Sequence, residues 1–143
     1  MFDLGVYFPL AVARMSQMVS QYQFSGHKVG KAIFVLGLVG LRENCSMTEV
    51  VDQLQIPPST ATRYVDQLFA KKLVERIIPE ENRRTVTLRL TKTGHEVYTN
   101  FRSHQLLFYQ KILEGIEADH LGSIILALKR IVEVPAGELG LER

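Results

Sequence analysis

Between Ser46 and Leu90 the hydrophobic period of the chain changes from that of helices to that of strands, with a double-proline turn part-way, and few folds accept that order. Ser46 stands three residues before Glu49, a spacing in which the serine side chain accepts the third helical N–H and the glutamate reaches back to the serine N–H. Val50, Val51 and Leu54 give that helix its apolar face. Gln55-Ile56-Pro57-Pro58 makes the turn, and Pro58 suits a first helical position because its missing N–H would be unpaired there. Ala61, Val65, Leu68 and Phe69 then recur at three- and four-residue spacing, which directs Ser59, Arg63, Asp66 and Gln67 away from the core with Thr60 and Thr62 on the flanks.

The period then shortens. Leu73 to Ile78 and Thr85 to Leu90 are β-branched and partly alternating, as in a hairpin; the second run sets Val86, Leu88 and Leu90 inward and Thr85, Thr87 and Arg89 outward. The six residues between them, Pro79 to Arg84, end in the paired arginines Arg83 and Arg84. Two short helices, a tight turn and a basic hairpin describe a winged helix-turn-helix, mainly α with a small β-hairpin. That shape places its second helix in the DNA major groove and its hairpin along the adjoining backbone or minor groove.

Charge follows the same stretch. The net charge of +2 decides nothing by itself, but from Ser59 to Lys92 eight basic residues face four acidic ones, so the excess of positive charge lies in this segment and the remainder is slightly acidic. A locally basic segment on a nearly neutral chain fits a polyanion-binding face. The outward side of the second helix is short, polar and hydrogen-bonding at its N-terminal end, as base readout requires. The expected DNA contacts are Ser59, Thr60, Thr62, Arg63 and Gln67 on this helix, with Arg83 and Arg84 on the hairpin tip.

Helices flank the motif on both sides. Val6 to Tyr22 places Leu10, Ala11, Met15, Met18, Val19 and Tyr22 at helical spacing, and Phe24-Ser25-Gly26-His27 interrupts it. From His27 to Glu43 a second helix is apolar nearly all round, the mark of a buried one. After Thr91-Lys92-Thr93-Gly94 the helical period returns to about Gly115, with Val97, Phe101, Phe108 and Ile112 on one stripe and Leu106, Leu107 and Tyr109 on another. A helix apolar on two sides must be covered on two sides, and a second subunit is the expected cover for one of them. A last helix, Asp119 to Val132, carries Leu121, Ile124, Ile125, Leu128, Ile131 and Val132 on one face. With 143 residues the chain reads as a single domain: a DNA-binding lobe over about 44–92, and dimerisation helices over about 5–24 and 93–134.

Other chemistries find little support. Ser59 has no neighbouring histidine and the glycines make no phosphate-cradling pattern, so no enzyme and no cofactor is expected. His27, His95, His104 and His120 share no metal-ligand spacing. Cys45, the lone cysteine, suits a reducing compartment and reads as a small, semi-buried residue rather than a sensor. Tyr22, Phe34, Phe101, Phe108 and Tyr109 could line an aromatic-ligand pocket, though such residues are more often plain core. The start, Met1-Phe2-Asp3-Leu4, has no basic residue ahead of an apolar run, and the longest apolar run, Ala32 to Leu41, is far short of the ~20 residues a membrane span needs. A cytoplasmic protein without membrane contact is the expectation.

About a third of the chain closely resembles the multiple-antibiotic-resistance-regulator (MarR) family of transcription factors. The matching residues are Met47-Thr48-Glu49-Val50-Val51, Ser59-Thr60-Ala61-Thr62-Arg63, Asp66-Gln67-Leu68, Lys72-Leu73-Val74-Glu75-Arg76, Asn82-Arg83-Arg84 and Leu90-Thr91-Lys92-Thr93-Gly94. The resemblance implies a homodimer joined by its N- and C-terminal helices and bound to a pseudo-palindromic operator in double-stranded DNA. It also implies control by a small, often aromatic or phenolic, effector. Two positions depart from the family pattern. Asn82 stands where the family wing usually has an aspartate, so no carboxylate holds Arg84 in place. Pro57 stands where a serine-like cap is common, which weakens the recognition-helix cap by ~1 kcal/mol. The expected function is therefore a dimeric, ligand-responsive transcriptional repressor, and the competing one is a winged-helix module that docks a protein rather than an operator.

Overall fold

The serine-to-glutamate spacing at residue 46 does what its chemistry dictates. In the computed structural model, which describes residues 3–42, 44–78, 80, 85–135 and 138, the Ser46 hydroxyl accepts the Glu49 N–H at 3.2 Å and the Glu49 carboxylate accepts the Ser46 N–H at 2.7 Å. These bonds start a helix over Met47–Leu54. Along the described chain the elements are α1 (Leu4–Gln21), β1 (Gln23–Phe24), β2 (His27–Lys28), a 3₁₀ turn (Gly30–Ala32), α2 (Ile33–Leu41), β3 (Cys45–Ser46), α3 (Met47–Leu54), α4 (Pro58–Ala70), β4 (Val74–Ile77), β5 (Thr87–Leu90), α5 (Lys92–Leu113) and α6 (Ala118–Glu133). The chain forms two compact units, Met1–Arg102 and Ser103–Arg143, whose boundary falls within α5.

The first unit holds the core. Ile33, Val35, Leu36 and Val39 of α2 are buried with Val50 of α3, Ala61, Val65 and Leu68 of α4, Leu88 and Leu90 of β5, and Val97 and Phe101 of α5. α2 is therefore the central helix that its all-round apolarity predicts, but it is shorter than the expected 27–43. His27 and Lys28 instead close a two-residue hairpin against Gln23 and Phe24. Its turn residues, Ser25 and Gly26, have φ of +50° and +79°, both positive as a tight hairpin turn requires.

The wing belongs to a three-stranded antiparallel sheet in the order β3-β5-β4. β5 pairs with β4 from Val74↔Leu90 to Ile77↔Thr87, and with β3 at Cys45↔Leu88 and Ser46↔Thr87. This central position buries Thr87, which alternation along β5 had directed outward, and its hydroxyl donates to the Ile77 carbonyl at 3.4 Å. Cys45 is buried in the same sheet. Burial pushes its thiol pKa up and Glu49 adds to that, with Arg42 opposing, so the reactive thiolate is disfavoured.

Where the sheet meets α5 the chain comes unusually close to itself. Thr91 donates its N–H to the Leu73 carbonyl at 3.1 Å and its hydroxyl to the Lys72 carbonyl at 2.6 Å, while the same hydroxyl accepts the Gly94 N–H at 3.0 Å. Gly94 lies so near this strand that a Cβ there would sit 1.9 Å from the Leu73 carbonyl oxygen. The end of α1 is tied to α5 by Tyr22, whose hydroxyl donates to Asn100 Oδ1 at 2.7 Å and whose ring meets Phe101 edge-on at 4.9 Å. These two aromatics thus pack against one another, while Phe34 is exposed.

In the second unit Phe108 and Tyr109 lie 5.8 Å apart, and α5 turns towards α6 through Gly115 at φ +85°. α6 has no buried residue and exposes Ile125, Leu126, Leu128, Ile131 and Val132.

Candidate nucleic-acid interface

α3 ends in Gln55, whose left-handed φ of +51° turns the chain out of the helix. Pro57 then caps α4 with its backbone rather than a side chain: its carbonyl accepts the N–H groups of Thr60 at 2.9 Å and Ala61 at 3.0 Å. Pro58 occupies the start of the helix, where no intrahelical N–H is needed. The helix-turn-helix is thus built from one side-chain cap, one left-handed residue and one proline.

Ala61, Val65 and Leu68 are buried, which turns the opposite side of α4 outward. Ser59, Thr62 and Arg63 are exposed and Thr60 is half-buried. Thr62 donates its hydroxyl to the Pro58 carbonyl at 3.0 Å, a bond that fixes its rotamer. The Arg63 guanidinium lies 5.3 Å from the Tyr64 ring centroid, a cation–π contact that limits where this long side chain reaches. Four of the expected contact residues, Ser59, Thr60, Thr62 and Arg63, therefore share the N-terminal two turns of α4.

Three features differ from the sequence expectation. Gln67 is half-buried rather than free: its Nε2 donates to the Val29 carbonyl at 2.9 Å, across 38 residues of chain. Phe69, assigned to the core by its spacing, is 50% exposed and covered by the Arg76 guanidinium at 5.1 Å from its ring. Arg76 also pairs with Asp66, which joins the outer edge of α4 to β4. Nothing in single-helix periodicity reveals these partners, because each comes from a different element. Arg83 and Arg84, with Asn82, lie outside the described residues; on the adjoining sheet Arg89 pairs with Glu75 at 2.9 Å.

Among the described residues no group of His, Cys, Asp and Glu is placed to hold a metal ion, and no helix is long and apolar enough to cross a membrane. The chemistry available is an exposed, hydrogen-bonding helix end with one well-placed guanidinium.

Residues 30–85, from the 3₁₀ turn through the helix-turn-helix into the wing, match the model of the MarR family. This segment is similar to the MarR family. No curated protein matches the chain. Among solved structures the MarR-like chain resembles the transcriptional regulator SlyA, at 15% identity and a TM-score of 0.79 over 91% of this chain and 92% of that one. It resembles equally a putative MarR family transcriptional regulator from Listeria monocytogenes complexed with a 26mer DNA, at 20% identity and a TM-score of 0.79, covering 93% and 89% of the two chains. An S. aureus MepR–DNA complex matches at 17% identity and a TM-score of 0.77, over 92% and 98%. The MarR winged-helix fold is thus shared over nearly the whole length of each relative.

Proposed function

We propose that this chain is a DNA-binding transcriptional regulator that works as a homodimer on a pseudo-palindromic operator, with α4 in the major groove. One observation carries the reading: within the MarR segment, the capped helix-turn-helix presents Ser59, Thr60, Thr62 and Arg63 together at the N-terminal end of α4, on the side facing away from the core. Arg63 offers a bidentate donor suited to guanine, and Ser59, Thr60 and Thr62 offer short hydrogen-bonding groups or a methyl. Arg83 and Arg84 reach the minor groove from the wing. The MepR and Listeria relatives were solved with DNA, which supports the same partner for this chain.

The dimer rests on apolar surface that each unit leaves exposed. α1 has no buried residue and shows Leu4, Tyr7, Phe8, Leu10 and Met15 to solvent, and α6 exposes the row from Ile125 to Val132. Several large apolar side chains exposed on one helix mark an association site. A small aromatic or phenolic effector that releases the operator, a repressor outcome and a cytoplasmic location complete the proposal, supported by the family likeness.

Selection of duplexes from a random-sequence pool, followed by binding to the selected and to a scrambled duplex across a salt series, tests it. A regulator enriches an inverted repeat and loses affinity steeply as salt rises. A protein-docking module enriches nothing and hardly binds.

A further inference from the structure

We propose that Gln67 is a positioning residue for DNA recognition: its side-chain amide holds α4 to the backbone at Val29, and thereby sets where Arg63 stands, instead of reading a base itself. This inference rests on the DNA-reading role proposed for α4. Gln67 follows Arg63 by one helical turn, so both lie on one stripe of α4. A free glutamine on that stripe would suit adenine. Here one of the two amide N–H donors is already engaged, at 2.9 Å, with a carbonyl in the segment between α1 and α2, which ties the amide plane to that segment.

The acceptor is well fixed. Val29 is fully buried, and it stands where β2 passes into the 3₁₀ turn through Gly30 at φ +58°. A second polar strut joins α4 to β4 through Asp66 and Arg76, but both partners are largely exposed and such surface pairs contribute little. The half-buried Gln67 bond is the better-shielded of the two. Together they flank α4, and loss of the stronger one frees the helix to roll. Recognition geometry tolerates displacements of only about 0.5 Å or 10–20°, and a roll of that size carries the whole polar stripe with it.

The consequences separate a positioning residue from a base reader. Gln67→Met keeps the length and shape of the side chain and removes the donor. Against a duplex selected by the wild-type protein from a random pool, it should lower the ratio of selected to scrambled affinity by about tenfold, the value of roughly one hydrogen bond. The loss should be spread evenly over single-base-pair variants of that duplex, with the salt slope unchanged. In a double-mutant cycle, Gln67→Met should cost less once Arg63 is alanine, because the part of its effect that passes through Arg63 is then gone while the part carried by the rest of the stripe remains. Gln67→Lys restores a donor; the affinity ratio cancels its added charge and should return most of the way to wild type, and this variant carries the test should Gln67→Met fail to fold. The proposal is overturned by a loss confined to one base pair, by additivity with Arg63→Ala, by an unchanged ratio in Gln67→Met, or by a Gln67→Lys ratio as low as that of a donor-free side chain. In each of those cases the wild type still binds DNA, whereas a wild type that selects no duplex removes the DNA-reading role along with it.

Discussion

Replacing Gly94 with alanine should destabilise the first unit even though alanine is the better helix former. Within α5, exchanging glycine for alanine would by itself favour folding by about 1 kcal/mol. The added Cβ, however, would stand 1.9 Å from the Leu73 carbonyl oxygen and 2.9 Å from its carbon, and both are backbone atoms that no rotamer change can move. Relief requires α5 to shift away from the strand by at least an ångström. That shift strains the bonds that join Thr91 to the carbonyls of Lys72 and Leu73. Overpacking costs roughly 1–3 kcal/mol and two weakened hydrogen bonds about 1 kcal/mol each. The net is a loss of about 3 kcal/mol, or roughly 10 °C in Tm for a chain of this size. Urea unfolding followed by circular dichroism, at one fixed protein concentration because a dimer's stability depends on it, measures this directly. Gly37→Ala in α2 is the internal control: nothing lies within 4 Å of its added Cβ, so it should be neutral or stabilising. A neutral or stabilising Gly94→Ala would refute the close approach of α5 to the strand.

The capping box makes stability depend on acid: hydrogen bonds from Ser46 hold the Glu49 carboxyl below its ordinary range, so its contribution is present at neutral pH and is lost as pH falls through that range and below it. Ser46→Ala should cost about 1 kcal/mol but keep the backbone N–H that is the main cause of the shift, whereas Glu49→Gln should flatten this part of the pH–stability curve, and an unchanged curve in Glu49→Gln counts against the box. At the other end of the scale, burial pushes the Tyr22 pKa up to about 12, so the folded state favours the neutral phenol. The stabilisation is complete below the ordinary tyrosine pKa of about 10 and disappears as pH rises towards 12; Tyr22→Phe should remove that alkaline fall. Arg84→Ala should weaken DNA binding with little change in Tm and reduce the log–log salt slope by about one unit for each arm that had neutralised a phosphate. An unaltered slope would take the wing out of the interface.

Local signals carried much of the fold into view. The capping box, the Pro58 helix start and the paired strands are all decided by neighbours within a few residues, and each formed within a residue or two of its predicted place. Features that depend on distant partners were not visible. β3 is two residues long and exists only because β5 lies beside it, and the same pairing buries Thr87 against its alternation. Phe69 has helical core spacing, yet it ends under Arg76, because the tilt of α4 against the sheet is set by the whole core and not by the helix. Gln67 shows the same limit at the candidate interface: its outward position on a helical wheel is correct, but a carbonyl 38 residues away takes one of its amide donors. Ser59, Thr62 and Arg63 were easier to place because, among the described residues, nothing buries them at the N-terminal end of α4.

The most direct test of α4 as the reader of DNA is the affinity ratio of Arg63→Ala for a selected operator and a scrambled duplex at one salt concentration. Arg63 stands exposed beside Tyr64 near the start of the helix, where a guanidinium can meet guanine in the major groove. The substitution should weaken operator binding by about 1–3 kcal/mol and narrow the gap to scrambled DNA. Equal weakening on both duplexes would make Arg63 a phosphate contact, and no change on either would contradict the assignment of α4 as the recognition helix.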